Sequence, residues 1–335
     1  MLVAALTALL VATPDTPLLT FQDERIAESS SLVASSSGDL LYTANDSGDD
    51  ARVFTVDLQG RTQAVHELPG VDAEDVEDAG LGPGPTLYLA DIGDNDAERE
   101  SVAVYGIPEP TGGAPTATST ATLTYEDGPH DAEALLVHPR TGQLLVVTKG
   151  LLGSGVYAAP QPLADGVLRR VGAVRLAVTG TDGGPQPQGV GQLLVTGGAV
   201  SPDGRRLVVR TYTDAYVYEV PGEDLADAFG REPTVLPLPA SEQGEAVTWT
   251  RDGAALLTSS EGEGAPVHRV EVPTRTRSGA GASRTATPAP TSSVPRPGAG
   301  QEPDDPGGVP LLPLALAGGL VVLLGGLLSR RRTRG

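Results

Sequence analysis

Residues 128–157 read GPHDAEALLVHPRTGQLLVVTKGLLGSGVY and contain three short apolar runs separated by turn residues. The order is an acidic loop, a strand, a tight turn, a second strand, a loop that carries Lys149, and a third strand. Apolar runs of this length, bounded by Gly, Pro and Asp, predict antiparallel β-strands. Related units recur between residues 17 and 273, so we expect an all-β protein built from repeats.

Five such units align on their first strand, and repeats of 40–60 residues favour a β-propeller. The fifth unit lacks a fourth strand, whereas Pro17–Phe21 stands alone before the first unit. Pairing of this segment with the fifth unit would close the ring and remove exposed sheet edges. We therefore expect five four-stranded blades closed by an N-terminal strand, within an ectodomain at 14–273. A sixth, degenerate blade near 150–195 stays open, because the units are unevenly spaced.

The charge distribution excludes one class of partner. The chain has a net charge of −20 and no cysteine. Residues 1–273 hold 15 basic and 40 acidic residues, a net charge of −25. Such a field repels nucleic acid and attracts cations or basic partners. The absence of cysteine excludes disulfides and thiol chemistry.

The N-terminal end resembles an export signal. Residues 2–12 read LVAALTALLVA and precede Thr-Pro-Asp, as in the apolar core and cleavage end of a secretory signal. The basic residues that usually come first are missing, so a buried first strand is the alternative interpretation of residues 1–13.

The C-terminal end predicts a membrane anchor. Residues 274–308 are rich in Ser, Thr, Pro and Gly, which is typical of a disordered stalk. Leu311–Leu328 is an uncharged apolar run that would span about 27 Å as a helix, so we expect a transmembrane helix at 309–329. The basic tail at 330–335 would remain in the cytoplasm. The sequence therefore predicts a single-pass protein of the cell membrane with its ectodomain outside.

Two sets of motifs resemble known propellers. Ser201–Arg206, followed by LVV, resembles the SPDG turn of WD-repeat-like and TolB-like propellers, and His138–Gly142 and Thr250–Gly253 occupy the same turn. The pair ADIGDN (Ala90–Asn95) and GPHDAEAL (Gly128–Leu135) resembles uncharacterised secreted actinobacterial propellers. Some of these are grouped with phytase-like propellers, which would imply hydrolysis of phosphoesters. Fold alone does not transmit function.

The aligned units bring charged residues to one face of the propeller. The loop before the first strand and the loop after the second strand of each unit open on the same face. Converging carboxylates suit a hard divalent cation such as Ca²⁺. Acidic residues that only cap loop amides are the alternative, also for the Asp-rich turn after Ala90. The candidate metal ligands are Glu28, Glu74, Asp91, Asp94, Glu133 and Glu245.

Three further residues are candidates for chemistry at this face. Lys149 and Arg210 would bind an anion, and His130 is a candidate base, although a solvated turn residue is the simpler interpretation. The first functional hypothesis is a binding module for a protein or an anionic small molecule. The second is a metal-dependent hydrolase of phosphoesters or similar anions, with Lys149 and Arg210 stabilising the transition state. The third is a purely structural surface protein.

Overall fold

The structure is a computed structural model and describes residues 16–46, 48–49, 51–110 and 119–273. The predicted signal-like segment (1–13), stalk (274–308), transmembrane helix (309–329) and basic tail (330–335) lie outside the described residues. Within the described ranges, no helix is long and apolar enough to cross a membrane.

The described chain consists of short strands and two 3-10 helices. The first ten strands are β1 (Leu19–Thr20), β2 (Val33–Ala34), β3 (Leu40–Thr43), β4 (Arg52–Asp57), β5 (Thr62–Glu67), β6 (Val76–Gly82), β7 (Thr86–Asp91), β8 (Val102–Pro108), β9 (Ser119–Tyr125) and β10 (Ala132–Val137). The next ten are β11 (Leu144–Thr148), β12 (Ser154–Ala158), β13 (Gly166–Val174), β14 (Val195–Val200), β15 (Arg206–Thr211), β16 (Asp214–Glu219), β17 (Thr234–Pro237), β18 (Val247–Trp249), β19 (Ala255–Thr258) and β20 (Pro266–Glu271). The 3-10 helices are Gly191–Leu193 and Leu225–Gly230.

The strands pair as successive antiparallel meanders. Three sheets have the orders β2-β3-β4-β5, β14-β15-β16-β17 and β1-β20-β19-β18. A longer sheet has the order β10-β11-β12-β13-β9-β8-β7-β6 and joins two meanders through a short parallel pairing of β13 with β9. The region 150–195 supplies β12 and β13, followed by a long loop.

The first strands of the meanders, which we call the inner strands, surround a central channel. They are β2, β6, β10, β14 and β18, and each lies against the next, with β18 against β2. This circuit is the arrangement of a β-propeller, so the predicted all-β propeller fold is confirmed. The predicted pairing of Pro17–Phe21 with the last meander is also confirmed, because Leu19 pairs with Val267 and Thr20 with Pro266.

The core lies between neighbouring sheets. Every residue of β10 and β11 is buried, because each sheet is covered on both faces by its neighbours. One apolar cluster joins Leu145 and Val147 to Val209 and Tyr216 across two meanders. This packing explains why the strands read as continuous apolar runs rather than alternating ones.

Similar turns end the inner strands β10, β14 and β18. Gly142, Gly204 and Gly253 have φ angles of 72°, 69° and 68°, a left-handed conformation that favours glycine. In the turn after β14, Asp203 Oδ1 accepts hydrogen bonds from Ser201 Oγ (2.6 Å) and the Arg205 N–H (3.0 Å). These turns mark one end of the channel, and the loops before the inner strands mark the other.

Candidate functional site

Two Asp-x-Glu segments begin neighbouring inner strands. Asp75-Val76-Glu77 leads into β6, and Asp131-Ala132-Glu133 leads into β10. In both strands the ladder register shifts across the glutamate. A β-bulge of this kind re-aims one side chain. The same irregularity in two neighbouring strands therefore brings equivalent acidic groups to the same end of the channel.

Five carboxylates converge there, and we call this cluster the acidic mouth. Asp46, Asp75 and Glu77 offer ligand oxygens within 4.8 Å of one another, and so do Glu77, Asp131 and Glu133. Glu77 belongs to both groups. Asp75, Glu77 and Glu133 are only 7%, 5% and 2% exposed. Carboxylates so close and so buried destabilise one another unless protons, cations or N–H donors balance their charge.

The acidity of these groups reflects their crowding. Burial raises the pKa of Asp75 to about 9, and a hydrogen bond with Asp46 adds to the effect. Burial also raises the pKa of Glu77 well above its usual value, with Glu133 as the next cause. The pKa of Glu133 rises to about 7 through burial, against the opposing charge of Lys149. Without a cation, the acidic mouth therefore holds protons near neutral pH.

One oxygen of the acidic mouth has no partner. Asp75 Oδ1 is buried and makes no hydrogen bond to any described residue. Gly93 lies directly against the site, since a Cβ at this position would clash with Asp75 Oδ2 and Glu77 Oε1. A buried oxygen without a donor normally faces a proton, a water or an ion. The orphaned oxygen thus indicates a position that a ligand can fill.

Lys149 is a cation at the edge of the acidic mouth. It follows β11, and its Nζ lies 2.6 Å from Glu133 Oε1 and 5.5 Å from the Tyr212 ring centroid. Burial lowers the pKa of Lys149, but Glu133, Tyr212 and Glu245 outweigh that effect and raise the pKa well above its usual value. Lys149 therefore remains charged and neutralises one of the carboxylates.

Glu245 and Arg210 lie on the same side of the channel but have different surroundings. Glu245 is 4% exposed, and its pKa is raised well above the usual value by burial and then by Glu133. Arg210 is 2% exposed and donates through Nη1 to the carbonyls of Ala246 and Ser259 (2.7 Å for the latter). Burial lowers the pKa of Arg210 to about 10, which leaves it a cation at neutral pH. Its hydrogen bonds bind backbone segments together.

Asp91 and Asp94 hold the loop after β7. Asp91 accepts from Arg99 Nη1 (2.9 Å), from the Asp75 N–H (2.9 Å) and from Tyr105 Oη (3.2 Å). Asp94 accepts from the N–H groups of Glu98 (2.9 Å) and Arg99 (2.8 Å). Neither belongs to the two carboxylate groups described above. This is the loop-capping arrangement that the sequence left open as the alternative to metal ligation.

Glu28 and Glu74 lie at the rim. Glu28 is exposed, and its carbonyl accepts from the Asp46 N–H (2.9 Å). The Glu74 side chain is 73% exposed and lies 3.5 Å from Arg99 Nε. Of the six predicted ligands, the structure therefore brings only Glu133 into the two groups, whose other members are Asp46, Asp75, Glu77 and Asp131.

His130 belongs to a separate polar cluster. Its Nε2 lies 2.9 Å from Asp127 Oδ1 and 2.9 Å from Tyr157 Oη, and Tyr125 packs edge-on against its ring. None of these contacts is with a carboxylate of the acidic mouth. The side chain thus braces the loop before β10.

Sequence reasoning missed Glu77 because two Asp-x-Glu motifs follow each other. Asp72-Ala73-Glu74 and Asp75-Val76-Glu77 match the motif at Asp131 equally well. The structure uses the second one, since the strand begins at Val76. The spacing to the next buried apolar residue does not separate the two motifs, because Val76 follows Glu74 by two residues and Ala79 follows Glu77 by two.

The fold and site together define a β-propeller with a buried acidic cluster at one end of its channel. No protein-family model matches the chain, and no curated protein matches it. Similar solved structures include a chain of a nidogen/laminin complex, 13% identical over 70% of this chain and 73% of that chain, with a TM-score of 0.44. The propeller domain of Cps50 (Swd1) from Myceliophteria thermophila is 13% identical over 72% and 64%, with a TM-score of 0.38. A gluconolactonase from Xanthomonas campestris is 15% identical over 69% and 68%, with a TM-score of 0.40.

Proposed function

We propose that this protein is a binding module whose acidic mouth holds a divalent cation, and that the cation recruits an anionic group of a partner. The observation that carries the proposal is the convergence of two carboxylate groups on Glu77 beside the orphaned Asp75 Oδ1. A protein side chain or a small-molecule anion could supply the partner's group.

The chemistry of the acidic mouth favours Ca²⁺. Its potential ligands are carboxylate oxygens, which suit hard cations, and Ca²⁺ takes about six to eight oxygen ligands in flexible geometry. Three carboxylates fill only part of such a shell. Water and a carboxylate or phosphate of a partner would complete it. An ion in either group would contact Glu77.

We further propose that the strands form five blades. Five meanders of four strands account for β1–β20, with β1 as the outer strand of the last one. Each inner strand contacts the next, and β18 contacts β2. Closure by β1 would hold the ring rigid, and a rigid ring keeps carboxylates from different inner strands in register.

The face opposite the acidic mouth is where the propeller ends. The Val272 N–H donates to the Ala254 carbonyl, so the chain leaves β20 beside the turn that precedes β19. The described chain therefore ends away from the acidic mouth. Location in the cell membrane, with the ectodomain outside, is part of the proposal and is supported by the sequence at both ends of the chain.

The geometry favours binding over phosphoester hydrolysis. A hydrolase of this kind would need cations that are free to stabilise developing negative charge. Arg210 directs its Nη1 at backbone carbonyls, and Lys149 is paired with Glu133. The metal-dependent hydrolase therefore remains the second hypothesis.

Calorimetric titration of the full chain with Ca²⁺ tests the proposal. Glu77→Gln keeps the size of the side chain and removes its charge, so we expect the affinity to fall at least about tenfold, as even outer-shell changes cost 10- to 100-fold. Glu74→Gln is the matched control, because Glu74 belongs to the neighbouring Asp-x-Glu but lies exposed at the rim. Equal losses in the two variants, or no binding to the wild type, would contradict the proposed site.

A further inference from the structure

A cavity lies at the end of the channel opposite the acidic mouth. Its volume is about 310 Å³, and its lining includes residues of all five inner strands. It lies among the turns that follow these strands, whereas the acidic mouth lies before them. Small-molecule sites have volumes of roughly 300–1,000 Å³, so this cavity can hold a small ligand.

The lining of this cavity combines apolar and polar groups. Leu81 and Val200 contribute aliphatic groups, Ala199 leaves space in the channel, and Ser36 adds a hydroxyl group. The Trp249 ring forms one wall and is 2% exposed. A lining of this kind suits a ligand that has an apolar body and a polar end.

The charge of the cavity lining is opposite to that of the protein. Arg140 and Arg251 line it, and no lining residue is acidic, although the whole chain has a net charge of −20. Arg251 donates through Nε to the Ser36 carbonyl (2.7 Å) and makes no ion pair with a described residue. Arg140 lies 3.8 Å from Glu223, and both side chains are largely exposed. The guanidinium groups can therefore donate hydrogen bonds to an anion without breaking a buried ion pair.

We propose that this cavity binds a medium-chain carboxylate, with its hydrocarbon tail between the inner strands and its carboxylate at Arg140 and Arg251. The apolar groups of the lining contact the tail, and a guanidinium pairs with a carboxylate through parallel N–H donors. The site is separate from the acidic mouth and needs no cation. It would give the propeller a ligand-binding function at each end of its channel.

Tryptophan fluorescence of the full chain tests this site directly. Trp249 is the only tryptophan in the chain, so its emission reports the cavity wall without interference. Titration with decanoate, in the presence of a chelator, is expected to give a saturable change in emission. Decanol, which has the same tail without the charge, is expected to bind at least about tenfold more weakly because it lacks the charge-assisted hydrogen bonds.

Two variants and one control separate the site from nonspecific binding. Arg251→Gln is expected to weaken decanoate binding about tenfold, and Ala199→Leu to abolish it by filling the cavity. Arg169→Gln is the control, because Arg169 lies on the exposed outer strand β13 and does not line the cavity. A change in emission that does not saturate, equal affinity for decanol, or equal losses in Arg251→Gln and Arg169→Gln would overturn the proposal. Because Arg251→Gln keeps the cavity volume, it tests the site even if Ala199→Leu fails to fold.

Discussion

The acidic mouth should make the metal-free protein less stable as pH rises, and Glu133 allows the effect to be calculated. The pKa of Glu133 rises from 4.5 to about 7, mainly through burial. A carboxyl group with a raised pKa in the folded state stabilises that state in its protonated form. Its stabilisation is complete below pH 4.5, declines between pH 4.5 and 7, and is absent above pH 7.

The size of this effect follows from the two acidity constants. Each tenfold difference corresponds to about 1.4 kcal/mol, so Glu133 alone should reduce the free energy of unfolding by about 3 kcal/mol between pH 4.5 and 7. Glu133→Gln keeps the shape of the side chain but cannot ionise. It should therefore remove about this much of the pH dependence. Ca²⁺ should also remove it in the wild type, because the cation replaces the protons.

Urea unfolding with a chelator present, at several pH values from 4.5 to 8, measures this dependence. Glu74→Gln is again the control and should behave like the wild type, since its side chain is exposed. A parallel loss of stability in Glu133→Gln and the wild type over this range would refute the role assigned to Glu133. A wild-type protein that became more stable between pH 4.5 and 7 would refute it as well.

Three further substitutions test how the fold supports the site. Asp78→Ala removes the acceptor of the Leu135 N–H (2.8 Å) and the Gly198 N–H (3.1 Å). Because two buried donors lose their partner, the free energy of unfolding in urea should fall by about 3 kcal/mol. A loss below about 1 kcal/mol would contradict this role. Phe21 is 2% exposed and lies beside the pairing that joins β1 to β20. Phe21→Ala should therefore lower the free energy of unfolding by about 3–5 kcal/mol, measured by calorimetry. An unchanged melting temperature would show that β1 does not hold the ring closed. The hydrogen bonds of Arg210 are to backbone carbonyls. Arg210→Lys should therefore lower the free energy of unfolding by about 2 kcal/mol but keep the Ca²⁺ affinity within about threefold of the wild type. A large loss of affinity at unchanged stability would instead support the predicted anion-binding role.

The fold could be predicted from the sequence because its signals are local and repeated. Turns such as Ser201–Arg206 need glycine at one left-handed position, and Gly204 occupies it. The isolated segment Pro17–Phe21 was the strand that the last meander lacked, so closure could be predicted by counting strands. Each of these inferences depends on residues close together in the chain, or on the physical cost of an open sheet edge.

The site was harder to predict because its members come from different strands and violate strand preferences. Glu77 and Asp78 lie inside β6, where acidic residues are disfavoured, so the sequence does not mark where this strand begins. Glu74 matched the motif equally well and ended at the rim. Only the position of the bulge distinguishes the two glutamates. Arg210 likewise carries no local sign that it bonds to Ala246 and Ser259, which follow more than 30 residues later.

The central claim is that a divalent cation binds between the starts of β6 and β10. Crystals of the protein grown with Mn²⁺, measured for anomalous scattering, test it most directly, because the metal's position is seen without assigning any side chain in advance. We expect an anomalous peak in contact with Glu77 and with Asp75 or Asp131. A map with no peak at the acidic mouth, or with its peak only at the loop of Asp91 and Asp94, would contradict it.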